Sequence, residues 1–110
     1  MKNMRFVAIA AVVVLGAAGT QAWAADGSAE AGKKKTQMCA GCHGLEGFRT
    51  AYPVVYSVPK LGGQSANYIV AALKAYKTGD RNHPSMRGIA GSLSDQDMAD
   101  LAAYYSNLGR

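Results

Sequence analysis

The amino-acid sequence predicts a small domain of three main helices joined by long loops. Three observations carry the prediction. Three separate stretches, 26–41, 65–77 and 94–108, read at helical spacing. Each holds a serine where a helix would start, Ser28, Ser65 and Ser94, able to accept from the first free N–H groups. The segments between them, 44–64 and 80–93, show no helical pattern. They hold Pro53, Pro59, Pro84 and several glycines, which interrupt helices.

The chain begins outside that domain. Lys2 and Arg5 form a basic start, Phe6 to Ala18 an apolar run, and Ala22-Trp23-Ala24 a small-x-small cleavage pattern. This is the form of a secretory signal peptide over residues 1–24, with cleavage after Ala24. An uncleaved N-terminal anchor is the alternative, although the apolar run falls short of the roughly 20 residues of an ordinary span. No cysteine follows closely, so nothing suggests a lipid anchor. Residues 25–110 are then the mature domain. At that size the apolar core is marginal by itself. Losing Lys2 and Arg5 from the formal +5 leaves +3, which argues against a nucleic-acid partner. Lys33, Lys34 and Lys35 are the densest positive run, read as a solvated helix face with a docking patch as the alternative.

The first helix, Asp26 to Gly41, places Gly32, Thr36 and Cys39 on one stripe. It leads into Cys39-Ala40-Gly41-Cys42-His43. The pattern C-x-x-C-H is the attachment signal of a c-type haem. Thiols three positions apart lie on one helix face, about a turn apart, so each can form a thioether to one haem vinyl group. His43 follows directly and can offer its imidazole as the proximal iron ligand. Three other readings compete. A Cys39–Cys42 disulfide would suit a redox fold, but no βαβ pattern surrounds it. Zinc needs about four ligands at metal-like spacing, and the other histidine, His83, is far along the chain. Two inert thiols fit poorly with export to an oxidising compartment.

A loop as long as 44–64 is unusual in a compact domain unless it has a task, and wrapping a haem is one. Within it, the carbonyl of Pro59 can accept from the outer nitrogen of His43 and so fix the ring's tautomer. Leu61 would pack on the haem. The plain alternative is that Pro59 only punctuates a turn.

In the second helix Tyr68, Ile69, Ala72, Leu73 and Tyr76 form an apolar stripe, and Gly79 ends it. Lys74 and Lys77 read as solvent-facing. The loop 80–93 carries Met86, a soft thioether suited to the second haem face. Met38, Met98 and His83 are the other candidates for a sixth ligand. Met38 adjoins Cys39 on the proximal side, and Met98 has a packing role. His83 would give bis-histidine ligation, and an open sixth position also remains. The last helix starts with a variant capping box, Ser94 with Asp97, and a hydrophobic staple, Leu93 with Met98. Leu101, Tyr104, Tyr105 and Leu108 continue its apolar face.

The order of these residues resembles the class I c-type cytochromes. Pro59-Lys60-Leu61-Gly62-Gly63-Gln64, the 68–79 stretch and Met86-Arg87-Gly88 before Leu93-Ser94-Asp95-Gln96-Asp97 are similar to one half of the bacterial dihaem cytochromes c that deliver electrons to terminal oxidases. The resemblance implies an all-α cytochrome c fold around one covalent haem c. Its first and last helices cross with Gly32 meeting Tyr104. Cys39 and Cys42 carry the thioethers, His43 and Met86 the axial bonds, and Pro59 the hydrogen bond to His43. It also implies a periplasmic electron carrier rather than an enzyme. Its transient partners would be a membrane quinol-oxidising complex, a dehydrogenase or a terminal oxidase, with no stable membrane anchor. A haem-bearing subunit of a larger complex, or a haem ligand sensor or enzyme if Met86 dissociates, are the alternatives. The chain departs from the pattern at 48–58, where Tyr52-Pro53-Val54-Val55-Tyr56 suggests an apolar lip for docking a partner.

Overall fold

The computed structural model describes residues 26–51 and 55–109. The expected signal peptide and its cleavage point lie outside the described residues, as do Tyr52, Pro53 and Val54. Among the described residues five α-helices follow one another: α1 (Ala29–Lys34), α2 (Gln37–His43), α3 (Ala66–Thr78), α4 (Pro84–Gly91) and α5 (Asp95–Asn107). The fold is all-α, with one isolated antiparallel bridge between Arg49 and Ser57.

Two features correct the expected three helices. The first helix is broken at Lys35–Thr36 and runs on to His43. The cause is local. Thr36 Oγ1 donates back to the Lys33 carbonyl at 2.9 Å, a side-chain bond that competes with the helical ladder. Lys35 turns inward to reach α5. The expected loop 80–93 contains α4, started by Pro84 in its first turn and capped by His83. Pro84 fits there because the first turn has no use for its missing N–H.

The chain closes where α1 crosses α5. A Cβ built on Gly32 would meet the Asp100 carbonyl oxygen at 2.0 Å and Tyr104 Cβ at 2.9 Å. Only a glycine lets the two backbones come this close. Gly32 does meet Tyr104, and meets the Asp100 backbone more tightly still.

Beside that contact Asp100 is almost fully buried. Its carboxylate accepts from the Ser28 N–H at 2.8 Å, the Gln96 amide at 2.9 Å and the Lys35 ammonium at 2.6 Å. Lys35 also meets Asp97 at 2.7 Å. The expected solvated lysine face is therefore corrected at one position: Lys33 and Lys34 are exposed, while Lys35 ties α1 to α5. Lys35 and the Ser28 N–H hold the Asp100 carboxyl down at about 2. Lys35 and the Ser94 cap hold Asp97 below the ordinary carboxylate range.

Ser94 and Asp97 complete the capping box at the start of α5. Leu93 and Met98 join Ile69, Leu101, Ala102 and Tyr105 in the apolar core, so the staple packs where α3 meets α5. Lys77 is exposed, as expected, but it is also tied to the fold. Its ammonium donates to the Leu93 carbonyl at 2.5 Å and fastens the end of α3 to the start of α5. Gly79 stops α3 in the left-handed conformation, φ +91°.

Two substitutions test this frame. Gly32→Ala forces α1 off α5 and should cost about 1–3 kcal/mol in thermal unfolding of the holoprotein. Asp100→Asn should cost on the order of 2 kcal/mol at pH 7. The Asp100 carboxyl titrates near 2 when folded, and near 3.9 when unfolded. Its contribution is thus complete above about pH 4 and lost as pH falls toward 2. The gap between Asp100→Asn and the parent should be constant from pH 7 to 5 and close below pH 4.

Candidate haem site

An apolar cleft of about 300 Å³ lies between α2, the 58–61 strand of chain, α3 and α4. The α3 stripe read from the sequence forms one wall: Tyr68, Ile69, Ala72, Leu73 and Tyr76 all line it. Ile69, Leu101 and Tyr105 belong both to the cleft and to the core. The domain's apolar interior therefore continues to the cleft surface.

The helix α2 brings Cys39, Cys42 and His43 to the facing wall. Cys39 and Cys42 form no disulfide with each other, which speaks against that alternative. Cys39 packs on the core, and burial pushes its thiol above the ordinary range, with the Tyr105 phenol partly offsetting this. Burial likewise raises the Tyr105 phenol well above its usual value. Cys42 is exposed. The zinc alternative gains no support, since among the described residues no three His, Cys, Asp or Glu side chains gather into a metal-binding group.

His43 Nδ1 lies 2.7 Å from the Pro59 carbonyl oxygen. A carbonyl can only accept, so Nδ1 carries the proton and the neutral ring keeps its lone pair on Nε2. Pro59 itself is held in a chain segment that lines the cleft together with Leu61, which packs partly buried on the core.

Met86 lines the cleft from the first turn of α4, with Ile89 one turn further on. It stands on a helix and not, as expected, on a flexible loop. The residue that fixes this helix is His83. Its Nδ1 accepts from the Met86 N–H at 3.3 Å, and its ring lies against Tyr56 with centroids 4.8 Å apart. The second histidine thus has a capping task next to Met86, which the sequence did not reveal. Proline at the next position was the available signal, because it marks a helix start as readily as an extended bend.

Residues 48–50 pair with residues 56–58. Val58 N–H donates to Phe48 O and Thr50 N–H to Tyr56 O, both at 2.9 Å. Thr50 and Val58 line the cleft, while Val55 and Tyr56 are exposed.

A second groove, about 430 Å³, lies behind α2 near Tyr104 and Leu108. It holds neither Cys39, Cys42 nor Met86. The chemistry therefore selects the cleft between α2, α3 and α4 as the site. An apolar slot with two thiols and an imidazole on one wall and a thioether on another fits a large flat apolar macrocycle carrying an iron.

These features define a c-type haem protein. The chain belongs to the cytochrome c family, whose model matches residues 29–109. It is 45% identical over 84 residues to cytochrome c-554(548) of Halomonas halodenitrificans, covering 74% of this chain and 96% of that one. It is 40% identical over 83 residues to cytochrome c4 of Pseudomonas aeruginosa, covering 76% of this chain but 39% of the relative. The crystal structure of reduced recombinant cytochrome c4 from Pseudomonas stutzeri superposes with a TM-score of 0.59 at 30% identity. It covers 76% of this chain and 52% of that one. This chain thus spans about half or less of the cytochrome c4 relatives. It is an electron-transfer haem protein with a covalently bound haem c.

Proposed function

We propose that this chain is a periplasmic shuttle for single electrons, with Cys39 and Cys42 holding the haem by thioethers and His43 and Met86 as its axial ligands. The observation that carries this reading is the convergence of these four residues on one apolar cleft, from helices α2 and α4 on different walls. When bound, the haem supplies a one-electron ferric/ferrous couple.

Each residue has a separate task. The Pro59 carbonyl holds the His43 Nδ1 proton and leaves Nε2 free to face the iron. His83 caps α4 and so fixes the backbone that carries Met86. His43 and Met86, both carried on helices, would hold the iron with little rearrangement when its charge changes. The α3 stripe, Leu61 and Ile89 exclude water and, with the Met86 thioether, favour the ferrous state.

The periplasmic assignment rests on the export signal in residues 1–24. Among the described residues no helix is long and apolar enough to cross a membrane. A dehydrogenase is a fitting electron donor. A relative from Thiomonas intermedia, 31% identical over 104 residues, is named a thiosulfate dehydrogenase electron acceptor. A quinol-oxidising complex or a terminal oxidase fits equally as a transient partner, and such encounters need only a small interface. The exposed Val55 and Tyr56 offer an apolar contact beside the cleft.

Carbon monoxide binding to the ferrous protein at neutral pH tests the filled sixth position. The parent should take up the gas slowly and Met86→Ala on mixing. A parent as fast as the variant would instead favour ligand sensing.

A further inference from the structure

The cleft is lined by cations but not by anions. Lys60 and Arg81 border it, and no aspartate or glutamate does. The haem that the family binds carries two propionate carboxylates, and a carboxylate brought against apolar walls needs a donor.

Arg81 is the better prepared of the two. Its backbone N–H donates to the Ala75 carbonyl at 3.1 Å, just past the left-handed stop at Gly79, so its Cα is fixed to the end of α3. Its guanidinium carbon stands 4.7 Å from the centre of the Tyr76 ring. Its Nη1 donates to the Tyr68 hydroxyl at 3.5 Å. Both tyrosines belong to the cleft wall. Among the described residues Arg81 forms no ion pair, whereas Lys34, Lys35 and Lys74 do. A charged group has been stacked and aimed at the cleft without a carboxylate of this chain to meet.

We propose that Arg81 binds a haem propionate, with Tyr68 and Tyr76 holding the guanidinium in place. This goes beyond the axial and thioether roles and rests on the same cleft being the haem site. A planar guanidinium suits a carboxylate because its parallel N–H groups can meet both oxygens. Lying on an aromatic face restricts the side chain before the carboxylate arrives, so less freedom is lost on binding. The positive charge beside the macrocycle also disfavours the ferric state. Removing it should lower the midpoint potential.

The test compares ferrous holoproteins of the parent, Arg81→Gln, Arg81→Lys and Lys60→Gln. Resonance Raman spectra report the propionate-bending band, which responds to hydrogen bonding at the carboxylate. Arg81→Gln should shift that band and lower the midpoint potential. Arg81→Lys, which keeps a donor and a charge, should recover most of the potential. Lys60→Gln should leave the band in place. An unmoved band in Arg81→Gln, with or without a loss of thermal stability, would mean that Arg81 only packs on Tyr76 and would overturn the proposal. A band moved by Lys60→Gln and not by Arg81→Gln would overturn it equally. These readouts follow the propionate and not the axial ligands, so this inference and the His43/Met86 ligation fail separately.

Discussion

The contact on which the molecule depends is the crossing of α1 over α5. Gly32 removes the side chain that would hold the backbones apart. Asp100 then collects three donors from the groups brought together: the Ser28 N–H, Gln96 and Lys35. A buried carboxylate is costly unless it is paired and hydrogen-bonded, so this arrangement also opposes any other register of the two helices. The local break at Lys35–Thr36 fits with it, since it lets Lys35 leave the helix line to reach α5. The break in turn sets the direction of α2 and hence of Cys39, Cys42 and His43. The attachment motif is thus placed by a polar lock some distance from the chemistry.

The second constraint is the small apolar interior. Ile69, Leu101 and Tyr105 serve as core on one side and as cleft wall on the other. A chain of this length buries too little surface for a generous core. A covalently held macrocycle therefore completes the interior as well as supplying the redox couple. This explains why Tyr68 and Met38, each 51% exposed, are large apolar residues at the cleft and not polar ones. The exposed Val55 and Tyr56 belong to the same segment as Thr50 and Val58, which line the cleft.

Much of this could be read from the residues alone. The α3 stripe, its Ser65 and Gly79 ends and the Ser94–Asp97 box depend on local rules, and the structure follows them. Local rules also located C-x-x-C-H and the Pro59 carbonyl that His43 reaches. What escaped depended on tertiary partners. Lys35 looked like a solvated lysine because nothing nearby in sequence shows that Asp100 awaits it, and the bond from the exposed Lys77 to the Leu93 carbonyl was hidden for the same reason. Helix α4 escaped because Gly88 and Gly91 weaken its propensity, and its stability comes from packing Ala90 into the interior. The setting of Arg81 likewise depends on α3, which places Tyr68 and Tyr76 around it.

The central claim is that α2 and α4 hold opposite axial ligands of one haem. The most direct measurement is the near-infrared spectrum of the purified ferric protein. The account predicts a weak thioether-to-ferric-iron charge-transfer band that disappears in Met86→Ala while the haem stays attached. A c-type haem spectrum lacking that band in the parent would contradict it. The sixth position would then belong to His83 or to solvent, and α4 would be a wall of the cleft and no ligand carrier.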